Sequence, residues 1–556
     1  MIEELTPIVL AISMLVVIAV STILSLLIST LVLAAYRRRV LGAMAQHAGD
    51  APAPESDDAK ITDRTVNFAG QQPAHPTGAT LYQRARQAAL GAAWRIALGG
   101  FSFALVIAVA TSLAFADQPT ATLFVLALWG ASWPTGLALV LATPPSRRLR
   151  LAAVAGYFTL FVVGAIVSEV ATQRLGTAAG YLHSIAPPQM LAGWLVANGP
   201  PTVLLLLFVN RRVRAIGPLV LGFATALSSG LMATYLLLMT PAGWRWLELA
   251  ANALGLSPFT VLAILAIIVL ALGGMLGWRF LSWIRNAYLR KQVNDRSLTL
   301  DALCLLFASW YAMALTLAGL AWVLAGGLAF AAGKVTTTWA GRRLAGVDAP
   351  GQPRGLVFLR VFSLGARSDR LFDAIARYWR YIGSIDLITG PDIAHSTVQP
   401  HQLLDFLAGR LATHFVASTP TLDERLRQRD TAPDRDGWFR VNNFFCHADT
   451  WERVLPRLVQ GGAVVLMDLR NFSGDNAGCV HELRHLVGFV PLRRCVLVVD
   501  ETTDQAFLRQ TLEDAWQAMP EQSPNRSALS SEANLHHLGS GAQSLRALLQ
   551  RLCDAA

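Results

Sequence analysis

Charge is scarce in this chain: only 15% of its 556 residues are Asp, Glu, Lys or Arg, against about 25% in an average soluble protein. Lysine is nearly absent. Lys60, Lys291 and Lys334 are the only three, so arginine carries the positive charge. That bias fits a GC-rich bacterial genome, and with it a bacterial inner (cytoplasmic) membrane. The five cysteines (Cys304, Cys446, Cys479, Cys495, Cys553) form no C-x-x-C pair, so no disulfide or zinc framework follows, and reduced thiols are expected. What is abundant is apolar surface: 54% of residues are hydrophobic, and the mean hydropathy is +0.44. A purely soluble enzyme does not have this composition.

The apolar residues lie mainly in the first two thirds. A membrane-spanning helix needs about 20 mostly apolar residues, because in lipid the backbone must satisfy its own hydrogen bonds. Stretches of that kind run from Pro7 to Tyr36, Ile96 to Ala116, Thr120 to Ala142, Leu151 to Thr172, Gln189 to Val209, Ile216 to Met239 and Pro258 to Trp278. An eighth block, Leu298 to Gly333, is too long for one span and reads as two helices folded around Leu317 to Gly319. The expectation is a polytopic α-helical membrane domain over residues 1–345 with about nine spans, seven or eight also being compatible.

Basic residues orient these spans. Alternate connections hold Arg37 to Arg39, Lys60, Arg64, Arg84 and Arg86; Arg147, Arg148 and Arg150; Arg211, Arg212 and Arg214; and Arg285, Arg290, Lys291 and Arg296, whereas the opposite loops offer Arg174 and Arg245. Positive charge stays inside, which places the N-terminus outside. Glu3 and Glu4 precede an apolar run too long for a signal-peptide core, so the first segment reads as a retained anchor. Residues 42–80, rich in Ala, Pro, Gln, Asp and Gly without periodicity, read as a disordered cytoplasmic loop. Intramembrane ionisable groups mark transport pathways. Only Glu169 and Asp301 are candidates here, both near span ends, so a transporter with a regulatory tail is an alternative the sequence supports weakly.

From Arg354 the texture changes. Apolar runs at Leu356–Phe362, Ser384–Thr389, Phe439–Phe445, Ala463–Leu469, Cys495–Val499 and Leu535–Leu538 alternate with amphipathic helical patterns. Nearly continuous apolar strands separated by helices predict a parallel sheet covered on both faces, here a cytosolic α/β domain over residues 354–556. Such sheets bind ligands beyond the carboxyl ends of their strands. Those positions hold Ser363, Arg367 and Asp369, then Asp392, then Asp468, Arg470 and Ser473, then Asp500. Arginines on such a rim suit phosphate or carboxylate. The turn Ser363-Leu364-Gly365-Ala366-Arg367 is neither a G-x-G-x-x-G nor a Walker A loop, so ordinary dinucleotide or NTP binding is not indicated.

After the strand at Val464, a serine-containing loop leads into a helix bearing Cys479-x-x-Glu482-Leu483. This resembles the Toll/interleukin-1 receptor (TIR) domain family, whose five-stranded flavodoxin-type domain would span Leu356 to Leu552. Gly478 stands where that family usually has Trp, and the insertion after Asp392 departs from its pattern. The chain also resembles a family of uncharacterised bacterial membrane proteins, in Phe358-Leu359-Arg360-x-Phe362, Asp449-x-Trp451 and the Asp468-Leu469-Arg470 segment. The TIR resemblance implies a signalling domain, self-association through it, and in some members cleavage of NAD, for which Glu482 would be the catalytic carboxylate, with Arg367 or Arg470 available for the pyrophosphate. The same segment, His481-Glu482-Leu483-Arg484-His485, is also literally H-E-x-x-H, so a membrane zinc metalloprotease using His481 and His485 is a further alternative. Arg484 in its middle and the lack of a firm third ligand count against that reading.

Residues from Arg354 onward hold 22 arginines and 23 acidic side chains, a balance of −1, so +11 of the overall +10 belongs to the membrane part. The basic character is therefore a topology signal. The expected partners are the lipid bilayer and a second copy of the cytosolic domain, with no nucleic acid.

Overall fold

The computed structural model describes residues 7–46, 65–69, 76–115, 121–143, 147–175, 187–209, 240–344, 354–361, 366–389, 400–447, 450–526 and 530–556, with scattered positions between 220 and 238. They divide into two units. The first comprises Met1–Ala34, Ala93–Arg343 and Gln399–Leu404; the second comprises Ala35–Ala92, Leu344–Val398 and Asp405–Ala556.

The first unit is helical. Its helices are α1 (Pro7–Met44), α2 (Pro76–Ala114), α3 (Ala121–Ala142), α4 (Arg147–Leu175), α5 (Pro187–Val209), α6 (Pro241–Leu254), α7 (Pro258–Leu289), α8 (Asp295–Leu315) and α9 (Leu324–Leu344), the far ends of α1 and α2 belonging to the second unit. Among the described residues six helices are long and apolar enough to cross a membrane: α1, α2, α3, α5, α7 and α8. This corrects the expected nine. The chain does break between α8 and α9, through 3-10 turns at Thr316–Ala318 and Leu320–Val323 with Gly319 at φ +140°. Lys334 and Thr336 to Thr338 make α9 too polar for the six. α4 runs through the Leu151–Thr172 stretch, but many of its later side chains lie outside the described residues, as does most of Ile216–Met239.

Small residues set the helix spacing, as they do where lipid supplies no hydrophobic drive between helices. A Cβ on Gly99 of α2 would meet Thr337 Oγ1 at 1.9 Å and the Gly333 carbonyl at 2.8 Å, and one on Gly326 would meet the Ala308 carbonyl at 2.4 Å. Prolines inside α3 and α5 remove N–H groups, and α8 supplies replacements. Pro134 frees the Gly130 carbonyl, which lies 3.2 Å from the Tyr311 hydroxyl; the same hydroxyl is 2.7 Å from Asn198 Oδ1. Pro200 frees the Val196 carbonyl, which accepts from Trp310 Nε1 at 3.1 Å. Tyr311→Phe is therefore expected to cost about 1–2 kcal/mol, read as a lower thermal midpoint in detergent; an unchanged midpoint would show that the freed carbonyl has found another donor. Asp301, one of the two candidate intramembrane acids, is held by Lys334 of α9 at 2.5 Å. The Glu169 side chain lies outside the described residues.

The second unit is built on eight parallel strands: β1 (Thr65–Ala69), β2 (Leu356–Arg360), β3 (Ile385–Thr389), β4 (Phe415–Val416), β5 (Val441–Cys446), β6 (Val464–Asp468), β7 (Cys495–Val499) and β8 (Ser530–His537). Their order across the sheet is β1-β8-β7-β6-β2-β3-β5-β4. Seven strands are C-terminal, at or near the positions expected except for the two-residue β4. β1 comes from the stretch predicted to be an irregular loop: Thr65–Ala69 pairs in register with Ser530–Asn534. The β-branched and aromatic Thr-Val-Asn-Phe suits an edge position on an existing sheet, a preference that periodicity over five residues cannot reveal.

Side chains alternate across the pleat. Val357, Leu359, Val465, Met467 and Leu497 face α13 (Trp451–Val459), α14 (Ala477–Phe489) and α15 (Gln505–Gln517). Leu356, Phe358, Leu466, Val496 and Val498 face α10 (Ala366–Trp379) and α16 (Ala542–Ala555). A third element joins this second face. Helix α2 begins 20 residues before its expected apolar span, at Pro76, and its early turns put Tyr82, Ala85 and Ala92 into the same core as Leu371, Ile375 and Leu548. The sheet domain thus takes residues from the N-terminal third of the chain as well as residues 354–556. Beyond β3, the insertion adds α11 (Pro400–Leu407), β4, α12 (Thr419–Arg427) and β5 and is tied down by polar pairs. Asp434 accepts from Arg440 at 2.8 Å, and the Arg380 guanidinium lies 3.7 Å over the Trp438 ring.

Candidate functional site: the carboxyl rim of the sheet

The central strands set the position of the site. From β2 the chain moves to β3 and the insertion, then crosses back to β6 on the other side of β2. Helices leaving β2 and β6 diverge to opposite faces, and the crevice at such a reversal is where open α/β sheets bind ligands.

β6 ends in Asp468, which is fully buried. Arg470 folds straight back onto it, Nε donating to Oδ1 at 2.7 Å and Nη2 to Oδ2 at 2.6 Å. The chain then turns through Asn471, which adopts a left-handed conformation at φ +61° that asparagine tolerates better than most residues. The Ser368 hydroxyl donates to the same carboxylate at 3.3 Å, and Arg470 Nη2 also donates to the Arg367 carbonyl at 3.2 Å. Arg367 in turn reaches Asp500 beyond β7, Nη2 to Oδ2 at 2.6 Å. Asp500 also accepts from the Thr502 hydroxyl at 2.6 Å and the Thr502 amide at 2.9 Å. Burial pushes the Asp500 carboxyl upward, but these donors with Arg367 and Arg470 outweigh it and hold it below the usual carboxylate range. For Arg470, burial works against the charge, yet Asp468 outweighs it and the guanidinium is held above its ordinary value. Arg470 is thereby held in the charged form.

Beside this chain lies a cavity of about 450 Å³. Its polar wall is Arg367 and Arg370 from α10, Arg470, and the turn Gly539-Ser540-Gly541 that opens α16. Of the rim residues expected from the sequence, Arg367, Asp468, Arg470 and Asp500 come together here. Asp369 sits in the first turn of α10 without lining the cavity, and the Ser473 amide is committed to Asn476 Oδ1 at 2.9 Å. Ser363 and Asp392 lie outside the described residues. Sequence reasoning missed Arg370 and the Gly-Ser-Gly turn. The available signal was a glycine pair immediately before an amphipathic helix.

Glu482 lies elsewhere. Its helix, α14, packs on the opposite face of the sheet from α10 and α16, with Cys479 and Leu483 in that core. The side chain is buried, and its Oε2 has no hydrogen-bond partner among the described residues. Burial pushes this carboxyl up to about 8, with Arg360 only partly offsetting it. The structure therefore does not bring Glu482 together with Arg367 and Arg470. His481 is exposed and packs edge-on to Trp451 at 5.6 Å between centroids; His485 stacks on Phe489 at 4.7 Å. Burial, then the neighbouring His481, pulls His485 down to about 4. Among the described residues no three His, Cys, Asp or Glu side chains are grouped to hold a metal ion, so the H-E-x-x-H stretch gains no third ligand there. No family model, no curated protein and no solved structure matches this chain.

Proposed function

We propose that the protein is a multi-pass protein of a bacterial inner membrane, N-terminus outside, whose cytosolic TIR-like domain binds a small ligand at the carboxyl rim and signals through helix α2. Without β1 at one edge and β5 and β4 at the other, the sheet reads β8-β7-β6-β2-β3, the 2-1-3-4-5 order of flavodoxin-type domains, which supports the TIR-like reading. The observation that carries the signalling role is α2. One helix, Pro76–Ala114, buries Tyr82, Ala85 and Ala92 in the core against α10 and α16 and continues into a stretch apolar enough to span a membrane.

Tyr82→Ala in the full chain should raise amide hydrogen exchange in α10 and α16, whose Tyr378 and Arg546 flank the Tyr82 ring at 6.0 and 5.8 Å. Unchanged exchange there would sink the route through α2. Cysteine placed at Ser56 should react with impermeant reagent only after the membrane is opened; labelling from outside would reverse the topology.

Glu482 favours a second reading, NAD cleavage, because its buried Oε2 has hydrogen-bonding capacity that nothing among the described residues uses. Nicotinamide release by the full chain, lost in Glu482→Gln, is the expected sign. No release from wild type at high protein concentration would eliminate it.

A further inference from the structure

Helix α6 is too short to be a span, yet it carries apolar surface on two sides. Its 14 residues reach about 21 Å, against a hydrocarbon core of about 30 Å. We infer that α6 lies in the plane of the membrane surface as a lipid-binding helix, with an outward apolar stripe among the acyl chains and a polar stripe in the headgroup layer. This goes beyond the multi-pass reading and rests on α7 being a membrane span, as its length and composition allow.

α6 is a helix in its own right and not the first turns of α7. Thr240 caps its start, accepting from the Gly243 amide at 3.1 Å, and Pro241 occupies the first turn. Gly255 ends it in a left-handed conformation at φ +65°, with the Leu256 amide donating back to the Ala251 carbonyl at 2.9 Å. Ser257 then caps α7, accepting from the Thr260 amide at 3.1 Å. Gly255-Leu256-Ser257 is the whole connection, so α6 is held at the level where α7 begins.

Helical spacing sorts the side chains of α6 into stripes. Leu247 and Ala251 are buried in a cluster with Val261, Leu262 and Leu265 from the first turns of α7. Arg245, Glu248 and Asn252 form an exposed polar stripe, Glu248 Oε1 accepting from Trp244 Nε1 at 2.8 Å. Trp246, Leu249 and Ala253 form an exposed apolar one, in which Leu249 is 69% exposed. The occupant of that apolar stripe follows from what adjoins it. Leu254, Leu256 and Phe259 carry exposed apolar surface across the connection, and Ile264, Ile267 and Ile268 continue it along α7. One medium covers both helices, and for a span that medium is lipid. Tryptophan at the end of a span suits the boundary, where its ring is apolar and its N–H wet.

The polar stripe sets the orientation. Arg245, Glu248 and Asn252 are spread over about 10 Å of helix. Running inward along the membrane normal, α6 would carry one end of that stripe into hydrocarbon, where a charged side chain is costly. Running outward, it would leave Trp246 and Leu249 in water. Lying flat, it keeps all three polar side chains at one depth while Trp246 and Leu249 reach the acyl boundary.

The test is spin labelling of the full chain in nanodiscs, with p-acetylphenylalanine carrying a ketone-reactive nitroxide, which spares the native cysteines. The label is placed singly at Leu249, Glu248 and Ile267, all exposed positions. Collision with oxygen reports acyl chains, and collision with a water-soluble nickel chelate reports water. Leu249 and Ile267 are expected to be oxygen-rich, with the oxygen-to-nickel ratio at least fivefold lower at Glu248. Leu249 as open to nickel as Glu248, with Ile267 still oxygen-rich, would overturn the surface helix and leave the span standing. Equal oxygen-rich ratios at Glu248 and Leu249 would overturn it too, by submerging the polar stripe. Leu249 shielded from both reagents would put protein on the stripe in place of lipid, a second copy of this chain if the labels also broaden one another. Ile267 open to nickel would remove the span, and the inference with it.

Discussion

Asp468→Ala is expected to destabilise the sheet domain by about 3–5 kcal/mol, among the largest effects available to a single substitution in it. Asp468 is fully buried at the end of the central strand, and its carboxylate takes two hydrogen bonds from the Arg470 guanidinium and one from Ser368. Removing it leaves a guanidinium that is itself buried without its counter-charge. The expectation is specific to burial. Asp423 and Arg457 form an ion pair of the same length, 2.6 Å, with both side chains about two-fifths exposed, and Asp423→Ala should change stability by less than about 1 kcal/mol. A double change, Asp468→Leu with Arg470→Leu, should recover most of the loss, since an apolar pair of similar volume avoids the desolvation of two charges. Urea unfolding of the full chain in detergent, followed by the fluorescence of the fully buried Trp379 and Trp516, separates these cases. A cost below about 1 kcal/mol for Asp468→Ala would mean that Arg470 swings out to solvent and the rim is not preformed.

That rim was partly legible in the sequence, and the pattern of what was legible has a physical cause. Strands β2, β3, β6 and β7 are buried on both faces; β2, β6 and β7 are runs of four or five consecutive apolar residues that declare themselves without any partner, and β3 reads the same way but for Asp386 and Thr389. The residues just beyond them follow by counting, which is how Arg367, Asp468, Arg470 and Asp500 could be named. Strand β1 and the first half of α2 were not legible, because their roles depend on surfaces made elsewhere. Thr65–Ala69 becomes a strand by pairing with Ser530–Asn534, more than 450 residues later. The stripe of Tyr82, Ala85 and Ala92 is made mostly of alanine, too weakly apolar to mark a buried face until α10 and α16 are in place against it. Gly539-Ser540-Gly541 is similar: a glycine pair is ordinary punctuation before a helix, and only the approach of α10 turns it into a wall. In the membrane part, the six apolar helices follow from composition, but the pairing of the Gly130 and Val196 carbonyls with Tyr311 and Trp310 required knowing which helices meet. Cys-x-x-Glu-Leu shows the converse. The motif was found at once, yet its glutamate points into a core.

Glu482→Gln should therefore change how stability depends on pH. In the unfolded chain this carboxyl titrates near its ordinary 4.5, and in the folded protein burial raises it to about 8. Between those values the folded state holds a proton that the unfolded state has released, so stability falls as pH rises through the window and levels off above about 8. Below about pH 4.5 both states are protonated, and Glu482 costs nothing. Glutamine has nearly the shape of the protonated acid and does not titrate. Wild type and Glu482→Gln should then be equally stable below about pH 4, and the variant should be the more stable by a few kcal/mol at pH 9, each unit of difference being worth about 1.4 kcal/mol. Parallel stability profiles for the two proteins would show that the carboxyl is solvated or already ionised. The same shift constrains catalysis. An acid titrating near 8 is ionised in only about a tenth of molecules at pH 7, so any NAD cleavage that needs the Glu482 carboxylate should speed up about tenfold toward an alkaline plateau. A rate independent of pH between 6 and 9 would place the reacting carboxylate elsewhere.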